Sequence, residues 1–266
     1  MEYSDTITLI KNKRGCYDFD TSKGCYYGMA NNTRGCYNDC YAFRVAHRYG
    51  IDFSKTVLRN FKSRKHEQNI IKQINKIDMP FIRMGVSGDP SDNWQHTLDI
   101  CLKISDNSQL YLFPEFNKPK HIVIATKHWN NLTNEQIKIL SNLNVCVNTS
   151  VSALDKTPLL NNRLAQYNRL KKYCKSVLRI VSCDFNLMNE IGRKLHLIQQ
   201  RLFENEYVLD TVFRVSHKNE LVTSGVINIE KFKFLGSHCY VSKYNKNTYF
   251  GSCSRCPDMC GIILNN

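Results

Sequence analysis

The chain has 266 residues and a formal net charge of +14, with 37 Lys and Arg against 23 Asp and Glu. This length suits one large α/β domain, and the absence of low-complexity segments argues against a disordered chain. The first residues lack the apolar stretch of a signal peptide, and no apolar run is long enough to cross a bilayer. We therefore expect a cytoplasmic protein without a membrane partner, whose positive charge favours a polyanion such as nucleic acid.

Apolar, β-branched segments alternate with helical patterns along the chain. The predicted strands are 7–10, 81–87, 121–126, 145–152, 177–183 and 208–216, and amphipathic helices are predicted between them. This order is typical of β/α units around a parallel sheet. Six strands cannot close an eight-stranded TIM barrel, so we predict an α/β fold, a partial (β/α)6 TIM-like barrel. Right-handed crossovers place the residues that follow each strand on one rim.

The final segment has a different character, with little helical periodicity and many Gly and aromatic residues. It carries four cysteines with compact metal-ligand spacing, Cys239, Cys253, Cys256 and Cys260. We predict a barrel over residues 1–225 and a small Cys-rich metal-binding module over 226–266. The four thiols suit either Zn²⁺ or a [4Fe–4S] cluster.

The other cysteines fall into two groups. In a reducing compartment we expect no disulfides. Cys101, Cys146, Cys174 and Cys183 lie in apolar patterns and are predicted to be small core residues. The remaining group lies near the amino terminus, as Gly24-Cys25, Gly35-Cys36 and Cys40-Tyr41-Ala42. Three thiolates leave one iron of a [4Fe–4S] cluster open, whereas Cys16 as a fourth ligand would close a zinc site.

A Cys-rich loop after the first strand of a partial barrel, ending in Cys40-Tyr41-Ala42 and entering a helix, resembles the radical S-adenosylmethionine (SAM) superfamily. It is most similar to divergent, often phage-encoded members. The gaps between the cysteines are longer than in the commonest Cys-x3-Cys-x2-Cys pattern of the superfamily.

The resemblance implies a cluster on Cys25, Cys36 and Cys40, and SAM bound to its open iron. It also implies reductive cleavage of SAM to a 5′-deoxyadenosyl radical, with a one-electron reductant such as flavodoxin or ferredoxin. The residues expected to contact SAM are Tyr41, Ser87, Gly88, Asp89, Thr126, Lys127, Asn148, Ser150 and Arg179. Asp89 would accept hydrogen bonds from the SAM ammonium, and Lys127 would meet its carboxylate.

The substrate is less defined by the residues. The basic charge favours a base or nucleoside of DNA or tRNA. Two alternatives remain, a radical SAM enzyme that modifies a peptide or protein, and a non-enzymatic nucleic-acid-binding protein stabilised by zinc.

Overall fold

The computed structural model describes residues 5–12, 15–31, 35–108, 120–205, 208–228, 233–235 and 238–240. The strands are β1 (Ile10–Lys11), β2 (Tyr17–Asp18), β3 (Ser22–Lys23), β4 (Val57–Leu58), β5 (Phe81–Met84), β6 (His121–Thr126), β7 (Val145–Val151), β8 (Lys175–Ser182), β9 (Val208–Val212), β10 (Arg214–Val215), β11 (Lys233–Leu235) and β12 (His238–Tyr240). The helices are α1 (Tyr26–Ala30), α2 (Tyr41–Arg48), α3 (Arg64–Lys76), α4 (Trp94–Ser108), α5 (Asn134–Ser141), α6 (Thr157–Leu170), α7 (Glu190–Phe203) and α8 (Glu220–Thr223), with a 3₁₀ turn at Pro90–Asn93 before α4.

The main sheet is mostly parallel and follows the order of the chain. Within the described residues its seven strands run β1-β2-β5-β6-β7-β8-β9, and of these pairs only β1–β2 is antiparallel. Each parallel strand pairs with the parallel strand that precedes it in sequence, and helices connect successive strands. The chain is therefore an α/β protein built from sequential β/α units, as the alternating pattern predicted.

Local signals explain why the connecting segments are helical. The Thr133 hydroxyl accepts the Gln136 N–H, and the Gln136 side-chain oxygen accepts the Thr133 N–H, which forms a capping box before α5. Ser63 caps α3 and Asn189 caps α7 in the same way through side-chain oxygens. Each cap satisfies N–H groups that a helix start leaves without partners.

One face of the sheet is apolar and covered by helices. Ile122 stands beside Val145 and Ile124 beside Val147, and these residues belong to the main core. Leu98 of α4 and Leu140 of α5 are part of the same buried cluster and are 0% exposed. Hydrophobic burial against these helices is the dominant stabilising contribution for this face.

The opposite face carries polar side chains. Asp18 stands beside Arg83, and their side chains form an ion pair with an N–O distance of 2.9 Å. Ser150 stands beside Arg179, whose Nε donates to the Thr211 hydroxyl at 2.6 Å. The polar groups of this face are therefore paired with one another across neighbouring strands.

Two strand predictions need correction. The predicted first strand, 7–10, contributes only to the antiparallel edge strand β1, and the first parallel strand is β2. Two residues are too few to show the alternation that marks a strand in a sequence. The predicted strand 208–216 divides into β9 and β10, and β10 leaves the main sheet to pair with β12.

The cysteine predictions for the core are confirmed. Cys101, Cys146 and Cys183 are 0% exposed, and Cys174 is partly buried against the main core. The eight cysteines whose side chains the structure describes are free of disulfides.

Candidate functional site

The loops that follow the parallel strands are joined by a carboxylate. Asp20, just after β2, accepts hydrogen bonds from the N–H groups of Gly85, Val86 and Ser87 at 3.0, 2.9 and 2.9 Å, and from the Ser87 hydroxyl. These donors fill the roughly four acceptor positions of one carboxylate. Asp20 therefore fixes the loop after β5 against the chain that leaves β2. Sequence analysis did not identify this residue.

The thiol loop, defined here as the described residues 24–31 and 35–40, contacts the loop after β5 through Gly24. Gly24 and Gly88 form a parallel bridge, and the Gly24 N–H donates to the Ser87 carbonyl at 3.0 Å. A Cβ added at Gly88 would lie 2.6 Å from the Ser22 carbonyl oxygen. Gly88 therefore packs directly against the backbone of the protein itself. This contact and the Gly24 hydrogen bond hold Cys25 close to Ser87.

The three thiols of this loop occupy one neighbourhood but different local settings. Cys25 immediately precedes α1, and Cys40 is the N-cap of α2, where its sulfur accepts the Phe43 N–H at 3.5 Å. Burial is the main cause that raises the pKa of Cys25, and burial also raises the pKa of Cys36 to about 11. A neighbouring thiolate adds to each shift, Cys36 for the first and Cys40 for the second. The thiols are therefore close enough to sense each other's charge.

Cys36 lies in a left-handed turn. The φ angles of Gly35, Cys36, Tyr37 and Asn38 are 73°, 57°, 70° and 60°. This region costs roughly 1–2 kcal/mol for each residue that carries a side chain. The turn is held from outside, because the Asn219 amide donates to the Tyr37 carbonyl at 3.2 Å and Asn38 donates to Glu220 at 3.0 Å. Strain of this kind is typical of ligand-binding segments.

The thiols of Cys25, Cys36 and Cys40 are of the type that binds an iron–sulfur cluster. Three thiols on one loop at the carboxyl edge of the sheet match the ligand chemistry of iron–sulfur clusters, and the N–H bond to the Cys40 sulfur is of a kind that tunes such clusters. Within the described residues, no group of three or more His, Cys, Asp or Glu is arranged to hold a metal ion. The three cysteines are therefore of the right type and lie in the same region for a cluster. Their sulfur atoms are not arranged as a ready-made site for a metal ion.

Asp89 sits at the centre of a second buried network. Its carboxylate accepts from the Ser91 N–H at 3.0 Å, the Ser91 hydroxyl at 2.7 Å, the Thr126 hydroxyl at 2.7 Å and the Lys127 N–H at 2.8 Å. Asp89 therefore joins the end of β6 to the 3₁₀ turn before α4. Contact with a SAM ammonium stays a prediction, and it would require one of these four donors to give way.

The other predicted SAM contacts are spread over the carboxyl edge and the polar face. Asn148 is buried and accepts from the Cys146 thiol at 3.5 Å, whereas Ser150 is half-buried beside Arg179 in the neighbouring strand. Tyr41 is 67% exposed at the start of α2. The structure thus brings Ser87, Gly88, Asp89, Thr126 and Lys127 together around the thiol loop, and places Asn148, Ser150 and Arg179 on the sheet face.

A cavity of about 300 Å³ opens beside Cys36. Its walls include Tyr37 from the thiol loop, Lys127 and Trp129 after β6, Asp155 after β7, and Arg163 from α6. Sequence analysis found only Lys127 of these five. The others come from loops and a helix without a motif, so only the folded chain shows that they meet.

A buried ion network forms one wall of this cavity. Asp155 Oδ1 lies 2.6 Å from Arg163 Nη1 and 3.6 Å from Lys127 Nζ, and the Tyr37 hydroxyl donates to the same oxygen. Burial favours a higher pKa for Asp155, but the attraction of Lys127 and then Arg163 holds the pKa below its ordinary value. The carboxylate is therefore ionised at neutral pH and orients all three partners.

His128 is a buried neutral group behind this wall. Its Nε2 lies 2.9 Å from the Thr149 hydroxyl, and its ring packs near Trp94 with centroids 5.8 Å apart. Burial lowers the pKa of His128 to about 4. The imidazole is therefore uncharged at neutral pH.

The remaining predicted metal ligands can be placed only in part. Cys16 is 0% exposed in the main core, with its sulfur 3.8 Å from the Tyr17 carbonyl, so it packs as an apolar group. Cys239 lies in β12, which pairs with β10 and β11. Cys253, Cys256 and Cys260 lie outside the described residues. Metal binding at the carboxyl-terminal thiols, and the division near residue 225, stay predictions.

Comparison with protein-family models, with curated proteins and with solved structures finds no match for this chain. In the part of the chain that the structure describes, no helix combines the length and apolar character needed to span a bilayer.

Proposed function

We propose that the chain is a radical SAM enzyme in which Cys25, Cys36 and Cys40 hold a [4Fe–4S] cluster at the rim of a partial (β/α)6 barrel. The observation that carries this proposal is the position of the thiol loop. It follows the first of six sequential parallel strands and is bound through Gly24 to the Ser87–Gly88 segment after the second. When bound, the cluster would supply the electron that cleaves SAM to methionine and a 5′-deoxyadenosyl radical.

The chain's own residues would position the ligand and shape its surroundings. Asp20 and Asp89 fix the loops after β5 and β6 by filling their carboxylates with backbone and hydroxyl donors. The Phe43 N–H stabilises negative charge on the Cys40 sulfur. Burial raises the pKa of the Cys36 thiol, and the positive charges of Lys127 and Arg163 next to it partly offset that effect.

The proposed substrate is a base or nucleoside of a nucleic acid. The net charge of +14 supports this choice, because neutralising phosphates is the main source of affinity for DNA or RNA. A flavodoxin or ferredoxin would deliver electrons in the cytoplasm, and the carboxyl-terminal module would bind a second [4Fe–4S] cluster or Zn²⁺.

The test is anaerobic purification and reconstitution with iron and sulfide, followed by metal analysis and detection of 5′-deoxyadenosine by mass spectrometry. We expect a brown protein with about four irons per chain for one cluster, or about eight for two. Cys36→Ala should lose one cluster and all SAM cleavage. Cys174→Ala removes a half-buried thiol far from any proposed ligand in sequence and is the matched control.

Two results would contradict the proposal. Production of 5′-deoxyadenosine by the Cys36→Ala variant would remove the assigned ligand set. A colourless wild-type protein that contains only zinc would instead support the zinc-stabilised nucleic-acid-binding protein.

A further inference from the structure

The cavity beside Cys36 contains more buried positive charge than its buried carboxylate balances. Asp155 shares one oxygen with both Lys127 and Arg163. The side chains of Arg163 and Lys127 are 1% and 14% exposed, so water compensates little of their charge. The other acid in the wall, Glu220, is exposed and accepts a hydrogen bond from Asn38. While Cys36 is a neutral thiol, one of these two buried cations has no buried counter-charge, and a second anion in the cavity would then be favourable.

Arg163 is fixed in the cavity wall, and one of its buried donors lacks a partner. Its Nε donates to the Lys127 carbonyl at 2.6 Å, and its guanidinium lies over the Trp129 ring at 4.7 Å from the centroid. Its Nη2 is buried and has no hydrogen-bond partner among the described residues. Because a guanidinium presents donors in a fixed fork, this orientation suits oxygen atoms of a phosphate or carboxylate.

The start of α6 adds donors to the same cavity. Lys156 is the N-cap of this helix of 14 residues, and no side chain caps its first turn. Lys156 and Leu159, from that uncapped end, both line the cavity. The amino end of a helix carries partial positive charge and N–H groups that favour phosphate. In α6 these N–H groups belong to the first-turn residues other than Pro158, which has none. The exposed Lys156 ammonium is a third cation at the opening.

We propose that this cavity binds a phosphate group of the nucleotide substrate. The inference rests on the proposed function for its substrate class and names a site for it. Arg163, Lys156 and the α6 amino end offer more donors than the two oxygens of a carboxylate accept, and a phosphate offers more acceptor oxygens. A volume of about 300 Å³ admits a phosphate with part of its sugar.

The test compares charge reversal inside and outside the cavity. Lys156→Glu changes an exposed residue, so the variant should fold, and Lys138→Glu makes the same change on the exposed side of α5. Affinity for a fluorescein-labelled single-stranded oligo(dT) is measured by anisotropy over a range of salt concentrations. We expect Lys156→Glu to weaken binding about tenfold and to reduce the salt slope by about one, with Lys138→Glu close to wild type.

Arg163→Lys provides a second measurement, since it keeps the charge and loses the fork. We expect weaker binding of deoxythymidine monophosphate, with binding of thymidine unchanged, by calorimetry. Thermal unfolding of each variant separates loss of the site from loss of the fold.

The outcomes distinguish this inference from the proposed function. Equal effects of Lys156→Glu and Lys138→Glu would overturn the phosphate site. A loss of SAM affinity in Lys156→Glu, with oligonucleotide affinity unchanged, would also overturn it and assign the cavity to a carboxylate. If the wild-type protein holds no cluster but Lys156→Glu still weakens oligonucleotide binding, the enzymatic proposal fails and the phosphate site stands.

Discussion

Replacing Asp155 by asparagine probes the buried ion network with little change in shape. Asp155 Oδ1 faces Lys127 and Arg163, and its Oδ2 accepts the Ser152 N–H at 2.9 Å. An asparagine amide must turn its NH₂ toward either the cations or the Ser152 N–H, so a donor meets a donor in both orientations. Removing one member of a buried ion pair costs about 3–5 kcal/mol. With Asp155 4% exposed, we expect a loss within this range.

The assay is urea unfolding followed by circular dichroism, with Glu190→Gln as control. Glu190 also pairs with a lysine, Lys194 at 2.7 Å, but both side chains are about 70% exposed. Exposed pairs of this kind add little to the free energy of unfolding, because water and salt screen them. The reasoning is refuted if Asp155→Asn costs no more than Glu190→Gln.

The difference in unfolding free energy between wild type and Asp155→Asn should also depend on pH. Lys127 and Arg163 overcome the effect of burial and hold the pKa of Asp155 below its ordinary value. The stabilisation by this carboxylate is therefore present above the ordinary carboxyl pKa and lost as pH falls through the lower folded-state pKa. The stability difference between wild type and Asp155→Asn should be constant near neutral pH and shrink below about pH 4.

Three further predictions follow from single contacts. Gly24→Ala should cost several kcal/mol or prevent folding, because the new Cβ would lie 2.0 Å from a backbone carbonyl oxygen. Gly50 also has a positive φ but has nothing within 4 Å of an added Cβ, so Gly50→Ala should cost about 1 kcal/mol in the same unfolding assay. Similar losses in the two variants would contradict the steric explanation. The pKa of His128 is about 4 in the folded protein and 6.5 in the unfolded chain, so the free energy of unfolding should decrease as pH falls from 6.5 to 4. His128→Gln should make the free energy of unfolding less dependent on pH in this range. An unchanged pH dependence would show that another group titrates there. Asp20→Asn should speed amide exchange of residues 85–87 without changing exchange in α5, and equal rates in both proteins would show that the carboxylate does not hold this loop.

Periodicity alone predicted most of the β/α order. The segment that forms β6 combines regular apolar spacing with clear boundaries, and the structure has this strand at the predicted residues 121–126. β2 was missed because it has two residues, and its place in the sheet depends on pairing with β5. Strand pairing across a long connection has no signal in a local window.

The candidate site was predictable only where a motif exists. Closely spaced cysteines marked the thiol loop, and Ser87 and Gly88 were predicted only through the resemblance to a known family. Asp155 and Arg163 belong to a loop and a helix whose local patterns are ordinary, and their ion pair forms only in the folded chain. Pairings of this kind are a property of packing, so a sequence does not show them.

The sequential order of the sheet also bears on synthesis. Since each parallel strand pairs with the one made just before it, the sheet can grow strand by strand as the chain leaves the ribosome. The thiol loop emerges long before α6, and Arg163 arrives only with that helix. Nascent chains therefore pass through a period in which Cys36 has Cys40 and the start of α2 nearby but lacks the wall of Lys127, Asp155 and Arg163 that later encloses it, so its thiol is then more accessible to solvent.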